Sequence, residues 1–206
     1  MHNNNLWQNF ASKYNLSDHQ LTQFQTYYRL LISENEKINL TAITEEADVI
    51  AYHFEDALEL AKCYDLAACR ALADIGTGAG IPGIPLKIAF PHISVVLVEV
   101  IQKKVHFLRE VIQKLGLTNI EVIDLDWRTF LRNTNYPVDL VCARASLRPD
   151  ELVRMFQASS PYKHADLVYW ASTDYEIDGK EKKFLSRSCD YIVGSKKRRY
   201  NFFQAQ

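Results

Sequence analysis

Apolar residues in the first third of the chain recur at helical spacing. Ser17-Asp18-His19-Gln20 has the form of a capping box, in which a hydroxyl group and a glutamine three residues later cap a helix start. The apolar positions that follow at intervals of three and four residues are Leu21, Phe24, Tyr28 and Leu31. A turn around Asn39, which either caps that turn or reaches a substrate, precedes a second helix over about residues 45–60. We therefore predict a helical extension over residues 1–65.

The pattern changes near Arg70 to short apolar runs that alternate with helical stretches. The runs typical of buried strands are residues 71–75, 94–99, 120–123, 138–143 and 167–171. Helices are predicted at 84–90, at 103–115, and from Pro149 to about Ala158. Residues 191–193 and 200–203 predict a hairpin across Gly194-Ser195. This alternation indicates an α/β fold over residues 66–206: a Rossmann-like, mainly parallel seven-stranded sheet with a C-terminal antiparallel hairpin.

Composition narrows the class of protein. The chain has 206 residues, 48% hydrophobic and 24% charged, which suits one α/β domain with an extension. The net charge of -1 means that any nucleic-acid binding must be local. No apolar run approaches the roughly 18 residues of a membrane span, and residues 1–5 lack a signal-peptide core. The four cysteines follow no metal or redox spacing and are interpreted as reduced thiols. We expect a cytoplasmic protein with no metal site and no membrane partner.

The most informative segment is a glycine-rich loop that follows the first predicted strand. It reads Asp74-Ile75-Gly76-Thr77-Gly78-Ala79-Gly80-Ile81-Pro82-Gly83. Glycines let the backbone turn tightly and approach a ligand, and ligands of open parallel sheets bind outside the carboxyl ends of the strands. The alternative interpretation is a tight turn without a ligand.

Two cofactor classes use such a loop, and the prolines distinguish them. NAD enzymes and S-adenosylmethionine (SAM) enzymes both place an acid after the second strand, as Glu99 is placed here. In the dinucleotide fingerprint, the third glycine packs an uninterrupted helix against the strand. Pro82 and Pro85 interrupt that stretch in this chain. The short Gly-x-Gly-x-Gly form after Asp74 therefore favours SAM over NAD.

Several segments together resemble one bacterial enzyme family. They are Asn39–Ile43, His53 with Asp56–Leu58, Asp74–Leu86, Lys103–Leu108 and Arg144-Ala145. These segments are similar to the 16S rRNA (guanine-N7) methyltransferase G family, formerly called the glucose-inhibited division protein B family. The resemblance implies a class I SAM-dependent methyltransferase fold. It also implies transfer of a methyl group from SAM to N7 of one guanine in the decoding-site loop of 16S rRNA. The implied partner is 16S rRNA or the small ribosomal subunit, and we expect a monomer.

The resemblance implies the residues of the site. Contacts to SAM are expected from residues of the loop and of the cleft: Asp74, Gly76, Thr77, Gly78, Gly80, Ile81, Glu99 and Arg144. Asp126, Trp127 and Arg128 would meet the adenine, at a place where the family usually has Arg-x-Glu. Near the fifth strand, Trp170-Ala171-Ser172 stands where the family usually has a Lys-Gly pair. These departures leave alternatives open: a SAM methyltransferase for another RNA or a small molecule, or a SAM- or RNA-binding paralogue without turnover.

The implied chemistry needs few catalytic side chains. Guanine N7 carries a lone pair and no proton, so transfer depends on proximity and alignment and not on a general base. Arg144 is the catalytic candidate, because it could hold an RNA phosphate or a base edge; a structural ion pair is the alternative. His53 and Asp56 share one helix face, either in the cleft or packed in the core.

Positive charge for RNA binding is concentrated near the end of the chain. Residues 180–199 contain eight basic and two acidic residues, with aromatic residues among them. The predicted RNA-binding residues are Lys196, Lys197, Arg198 and Arg199. A solvated hairpin is the alternative interpretation.

Overall fold

One seven-stranded sheet organises the chain. The computed structural model describes residues 4–144, 148–156, 159–177 and 179–205. The strands are β1 (Ala71–Ile75), β2 (Ser94–Val98), β3 (Ile120–Ile123), β4 (Leu140–Arg144), β5 (Asp166–Ser172), β6 (Leu185–Val193) and β7 (Lys196–Phe203). Their order in the sheet is β3-β2-β1-β4-β5-β7-β6. The first five strands pair in parallel, whereas β7 is antiparallel to β5 and β6 is antiparallel to β7. The predicted fold class is therefore confirmed.

Helices connect the parallel strands and form the N-terminal extension. Those within the sheet domain are α5 (Gly83–Ala89), α6 (Gln102–Lys114), α7 (Trp127–Asn133) and α8 (Pro149–Arg154), and a 3-10 turn (Lys180–Phe184) precedes β6. The extension contains α1 (Asn4–Lys13) and α2 (Asp18–Ile38). A helical stretch follows, made of α3 (Glu46–Val49), a π-helical part (Ile50–Glu55), α4 (Asp56–Leu58) and a 3-10 turn (Glu59–Lys62).

Both ends of α2 are set by local sequence. The predicted capping box is present: the Ser17 hydroxyl accepts a hydrogen bond from the Gln20 N–H at 3.3 Å, and the Gln20 side chain accepts one from the Ser17 N–H at 2.9 Å. The helix ends at Asn39, which has a left-handed φ of 50° and donates its N–H to the Asn35 carbonyl. Asn39 thus caps the end of α2 through its main chain, whereas the predicted cap of the following turn and the reach toward a substrate stay predictions.

Apolar residues cover both faces of the sheet. One face includes Leu72 and Leu97 and packs against α1, α2, α5 and α6, with Phe24 of α2 in the same cluster. The other face includes Ile75 and Val98 and packs against α7 and α8. Alternate residues of a strand point to opposite faces, so strands covered on both faces are apolar throughout. The extension shares a core with the sheet, and its separation at residue 65 stays a prediction.

The structure differs from the predicted elements at several places. Strand β4 starts at Leu140 instead of residue 138, and α8 ends at Arg154, while Ala158 lies outside the described residues. Both hairpin strands are longer than predicted. The sequence reading missed α7, although Asp126 before it is a typical N-cap residue.

The interpretation of all four cysteines as reduced thiols is wrong for one pair. Cys63 and Cys189 form a disulfide between the end of the helical extension and β6, with Cα atoms 6.2 Å apart. Cys69 and Cys142 are free and buried. The paired cysteines are 126 residues apart, so spacing along the chain carried no signal for this bond, which only the fold creates.

Candidate cofactor and substrate site

The glycine loop leaves β1 at the carboxyl edge of the sheet. Gly76, Gly78 and Gly80 have φ values of 67°, 62° and 97°, which favour glycine. A Cβ atom at Gly80 would lie 2.4 Å from Cδ1 of Ile84. At Gly78, no atom lies within 4 Å of such a Cβ. The φ of 97° and this close approach both favour glycine at position 80, whereas Gly78 faces open space into which a ligand can fit.

Asp74 ties the two ends of this loop together. Its side chain is buried, and Oδ2 accepts hydrogen bonds from the Thr77 hydroxyl at 2.6 Å and from the Gly83 N–H at 2.8 Å. Burial raises the pKa of Asp74 to about 6, and these two hydrogen bonds act in the opposite direction. The other oxygen, Oδ1, is buried and has no hydrogen-bond partner among the described residues. A buried acceptor without a hydrogen bond costs free energy. A ligand bound at the loop could supply the missing donor to Oδ1.

Glu99 follows β2 and braces the loop from the other side. It is buried; Oε2 accepts from the Gly78 N–H at 3.0 Å, and Oε1 accepts from the N–H groups of Val100 and Ile101 at 2.9 Å each. Three main-chain donors thus occupy most of the acceptor positions of this carboxylate. Its contact with SAM stays a prediction.

The helical extension also reaches the loop, through Tyr27 of α2. This side chain is fully buried, and its hydroxyl donates to the Ala79 carbonyl at 2.6 Å. Burial raises the pKa of Tyr27 well above its usual range, so the hydroxyl keeps its proton. The predicted apolar stripe named Tyr28, which is only partly buried, and missed Tyr27. Tyr27 lies three residues after Phe24, and this spacing indicates that both side chains lie on the same face of the helix.

The remaining loop predictions are Thr77 and Ile81. The Thr77 side chain is buried with its hydroxyl on Asp74, and Ile81 is buried in the core cluster. Both lie in the loop, and their contact with SAM stays a prediction.

The residues predicted to meet the adenine begin α7. Asp126 caps this helix, because its carboxylate accepts from the N–H groups of Arg128 at 3.0 Å and Thr129 at 3.2 Å. The Arg128 guanidinium lies 4.4 Å from the ring centre of Trp127 and forms an ion pair with Glu151. Each of the three therefore has a structural role, and their contact with adenine stays a prediction.

Arg144 ends β4 next to the glycine loop. Its Nη2 donates to the Tyr52 carbonyl at 2.7 Å and lies 3.3 Å from Nδ1 of His53. Burial, with the nearby Arg144 charge, lowers the pKa of His53 to about 4, so this imidazole is neutral at pH 7. His53 Nε2 lies 2.8 Å from the Thr41 hydroxyl. His53 is therefore buried, as the core interpretation predicted, and its place in the cleft stays a prediction.

Asp56 of α4 lies under the same arginine and is fully buried. Its Oδ2 is 3.4 Å from Nε of Arg144, and its Oδ1 is 3.7 Å from Nε of Arg198. The Tyr191 hydroxyl donates to Oδ1 at 2.8 Å. Arg144 therefore has the ion pair that the structural alternative foresaw.

The four predicted RNA-binding residues have different surroundings. Lys196 and Lys197 are exposed, and Nζ of Lys196 lies 4.1 Å from the ring centre of Tyr52. Arg199 donates to Asp190 across the hairpin at 2.8 Å. Arg198 turns inward to the buried carboxylate of Asp56. Of the four residues, the two exposed lysines are the most accessible to an RNA phosphate. RNA binding by this segment stays a prediction.

Within the described ranges, no three side chains of the histidine, cysteine, aspartate and glutamate types come together as metal ligands would. None of the helices described is long and apolar enough to cross a membrane.

The sheet topology and the loop define a class of protein. A parallel sheet ending in an antiparallel hairpin, with a glycine loop after β1 and an acid after β2, is the fold of class I methyltransferases. A solved SAM-dependent methyltransferase from Aquifex aeolicus shares it with a TM-score of 0.54 at 18% identity, covering 84% of this chain and 98% of the other. A solved complex of a mutant of MtNAS with S-adenosylmethionine gives a TM-score of 0.55 at 16% identity, covering 90% of this chain and 76% of the other.

Sequence comparison then gives the family. The family model described as rRNA small subunit methyltransferase G matches residues 20–203, so the chain belongs to this family and the resemblance is confirmed. The ribosomal RNA small subunit methyltransferase G of Geobacillus kaustophilus (strain HTA426) is 44% identical over 142 residues, which are 68% of this chain. The match spans 60% of that relative's length.

Proposed function

We propose that this protein is a SAM-dependent methyltransferase that transfers a methyl group to N7 of a guanine in 16S rRNA. The observation that carries the proposal is the glycine loop, braced by two carboxylates and open at Gly78, in a chain of this family. The loop lies at the carboxyl ends of the parallel strands, where such sheets bind ligands.

The residues present fit SAM. The buried oxygen Oδ1 of Asp74 has no partner, and SAM carries an ammonium group and hydroxyl groups that can donate to an acceptor. A cationic ligand would also favour the ionised form of this carboxyl, which burial disfavours. The open space at Gly78 would admit a ligand against the main chain. When bound, SAM supplies a methyl group already activated by its sulfonium.

The residues of the chain then have to bind SAM and the RNA and to orient the methyl group toward guanine N7. Asp74, Glu99 and Tyr27 hold the loop in one geometry, which favours alignment of the reacting atoms. Attack by guanine N7 releases no proton, so the neutral His53 is not required as a base. Arg144 ends β4, which pairs with β1, and we propose that it holds the RNA beside the loop.

Lys196 and Lys197 are proposed to contact rRNA phosphates, since both are exposed on the hairpin. We further propose that the protein acts in the cytoplasm as a monomer on 16S rRNA or the small ribosomal subunit.

Mass spectrometry of 16S rRNA from a deletion strain tests the proposal. We expect 7-methylguanosine to be lost, restored by the wild-type gene and not restored by Gly78→Asp. Gly116→Asp is the matched control, because Gly116 has the same φ of 62° and equally open space at the end of α6. Unchanged 7-methylguanosine in the deletion strain would overturn the proposal. A thermal shift with SAM, and none with NAD, is the expected result for the purified protein.

A further inference from the structure

A buried carboxylate joins two arginines that come from different strands. Asp56 lies within 3.4 Å of Arg144 and 3.7 Å of Arg198, and it accepts a hydrogen bond from Tyr191. Two guanidinium groups and one carboxylate leave one positive charge in this cluster, because His53 beside Arg144 is neutral at pH 7. The cluster therefore attracts an electron-rich group.

The register of the sheet puts this cluster beside the glycine loop. Arg144 pairs with Trp170 and Arg198 pairs with Ser172, on the two sides of β5. The last residue of β1, Ile75, pairs with the residue before Arg144. Both arginines thus lie at the edge where the methyl donor is proposed to bind.

Two atoms of these ion pairs make no hydrogen bond. The Arg144 and Arg198 side chains are 14% and 23% exposed, so they reach the cleft only with part of their surface. Within the described part of the chain, Nε of Arg198 and Oδ2 of Asp56 are buried and make no hydrogen bond. Nε of Arg198 therefore has a carboxylate oxygen at 3.7 Å but no hydrogen bond. The exposed part of the two guanidinium groups is available to donate to an acceptor of the substrate.

We propose that Arg144 and Arg198, aligned by Asp56, hold O6 of the target guanine and thereby select guanine over adenine. This inference rests on the proposed N7 methylation. N7 and O6 are neighbouring acceptors on one edge of guanine, and the lone pair of N7 must stay free for the methyl group. A donor that reads this edge can therefore take only O6.

Adenine is excluded by the same chemistry. It carries an amino donor where guanine has O6, and arginine has donors but no acceptor. The deep position of both guanidinium groups at the strand ends favours a base edge over a phosphate, which is a larger and more solvated anion. Asp56 is a positioning residue in this arrangement, since it holds both arginines and lies below them, fully buried.

The test uses two rRNA substrates, one with the mapped target guanine and one with 2-aminopurine at that position, which keeps N7 and lacks O6. We expect Arg198→Ala to lower kcat/KM on the guanine substrate roughly 10- to 100-fold. On 2-aminopurine, where the wild type has already lost this contact, the variant should match the wild type within about twofold. The dissociation constant for SAM should be the same in Arg198→Ala as in the wild type. The control is Arg187→Ala, on the same hairpin but stacked on Phe202, with wild-type rates expected.

Asp56→Asn provides a second measurement. It keeps the volume of the side chain but removes the charge that aligns both arginines, so kcat on guanine should fall more than KM rises. As for Arg198→Ala, the loss should disappear on 2-aminopurine. Far-UV circular dichroism and SAM affinity equal to wild type show that the variant is folded.

Two outcomes would overturn the inference. If Arg198→Ala loses the same factor on both substrates, or only flattens the salt dependence of RNA binding, the arginine contacts a phosphate and does not read O6. If the wild type forms no 7-methylguanosine on the guanine substrate, the proposed function fails and the inference fails with it. Normal methylation by wild type together with equal losses on both substrates rejects the inference alone.

Discussion

The hydroxyl of Tyr27 offers the sharpest test of how the N-terminal extension supports the cofactor loop. In Tyr27→Phe, the ring keeps its stacking on Phe54, at 5.4 Å between ring centres, and only the hydrogen bond to Ala79 is lost. The Ala79 carbonyl then stays buried without its donor, which costs about 1–3 kcal/mol. For a chain of this size, about 2–4 °C of Tm corresponds to each kcal/mol. We therefore expect Tm to fall by roughly 2–12 °C.

Binding of SAM should weaken as well, because Ala79 lies between Gly78 and Gly80 in the loop, and the Tyr27 hydroxyl fixes its carbonyl. If binding must restore about 1 kcal/mol of lost loop order, Kd rises about fivefold. Thermal unfolding and isothermal titration calorimetry measure the two quantities. Tyr28→Phe is the matched control, since its hydroxyl lies 3.4 Å from the Thr44 carbonyl, away from the loop. A Tyr27→Phe protein with wild-type Tm and wild-type Kd for SAM would refute this reasoning.

Four further predictions concern other contacts. Glu99→Ala leaves three main-chain N–H groups without their acceptor and should weaken SAM binding by about 1–3 kcal/mol in calorimetry; a change in Kd below twofold contradicts it. The pKa of His53 is about 4 when folded and near 6.5 when unfolded, so the unfolded chain binds the proton first and stability falls as pH drops from 6.5 to 4. In urea titrations, His53→Gln should lose up to about 3 kcal/mol less than wild type over that range. Reduction of the Cys63–Cys189 disulfide, which spans 126 residues, should lower the free energy of unfolding by about 2–4 kcal/mol; equal Tm values with and without reductant argue against it. Lys197→Ala should reduce the log–log salt slope of rRNA filter binding by about 0.7 without changing SAM affinity, and an unchanged slope identifies a solvated lysine.

Most of the secondary structure and the fold class could be predicted from local sequence patterns. The parallel strands could be predicted because both faces of each are covered, which makes the runs apolar at every position. The glycine loop was evident because glycine tolerates the left-handed φ values at Gly76, Gly78 and Gly80. The start of α2 followed from two side chains that bond to the main chain within three residues, and its end from an asparagine that adopts a left-handed φ. In each case the cause and its effect lie close together along the chain.

Only the tertiary structure decided how distant residues meet. A basic run at the hairpin was predicted to bind phosphates, yet antiparallel pairing turns Arg198 inward and places it beside a carboxylate from the helical extension. The same topology pairs Cys63 with Cys189. It also selects Tyr27 over Tyr28 as the side chain that reaches the loop. Hydrophobic periodicity and turn-forming residues act over a few positions of the chain. These contacts depend instead on which strands are neighbours and on which face of a helix is covered. Because both are set by the whole fold, no local sequence pattern encodes the contacts.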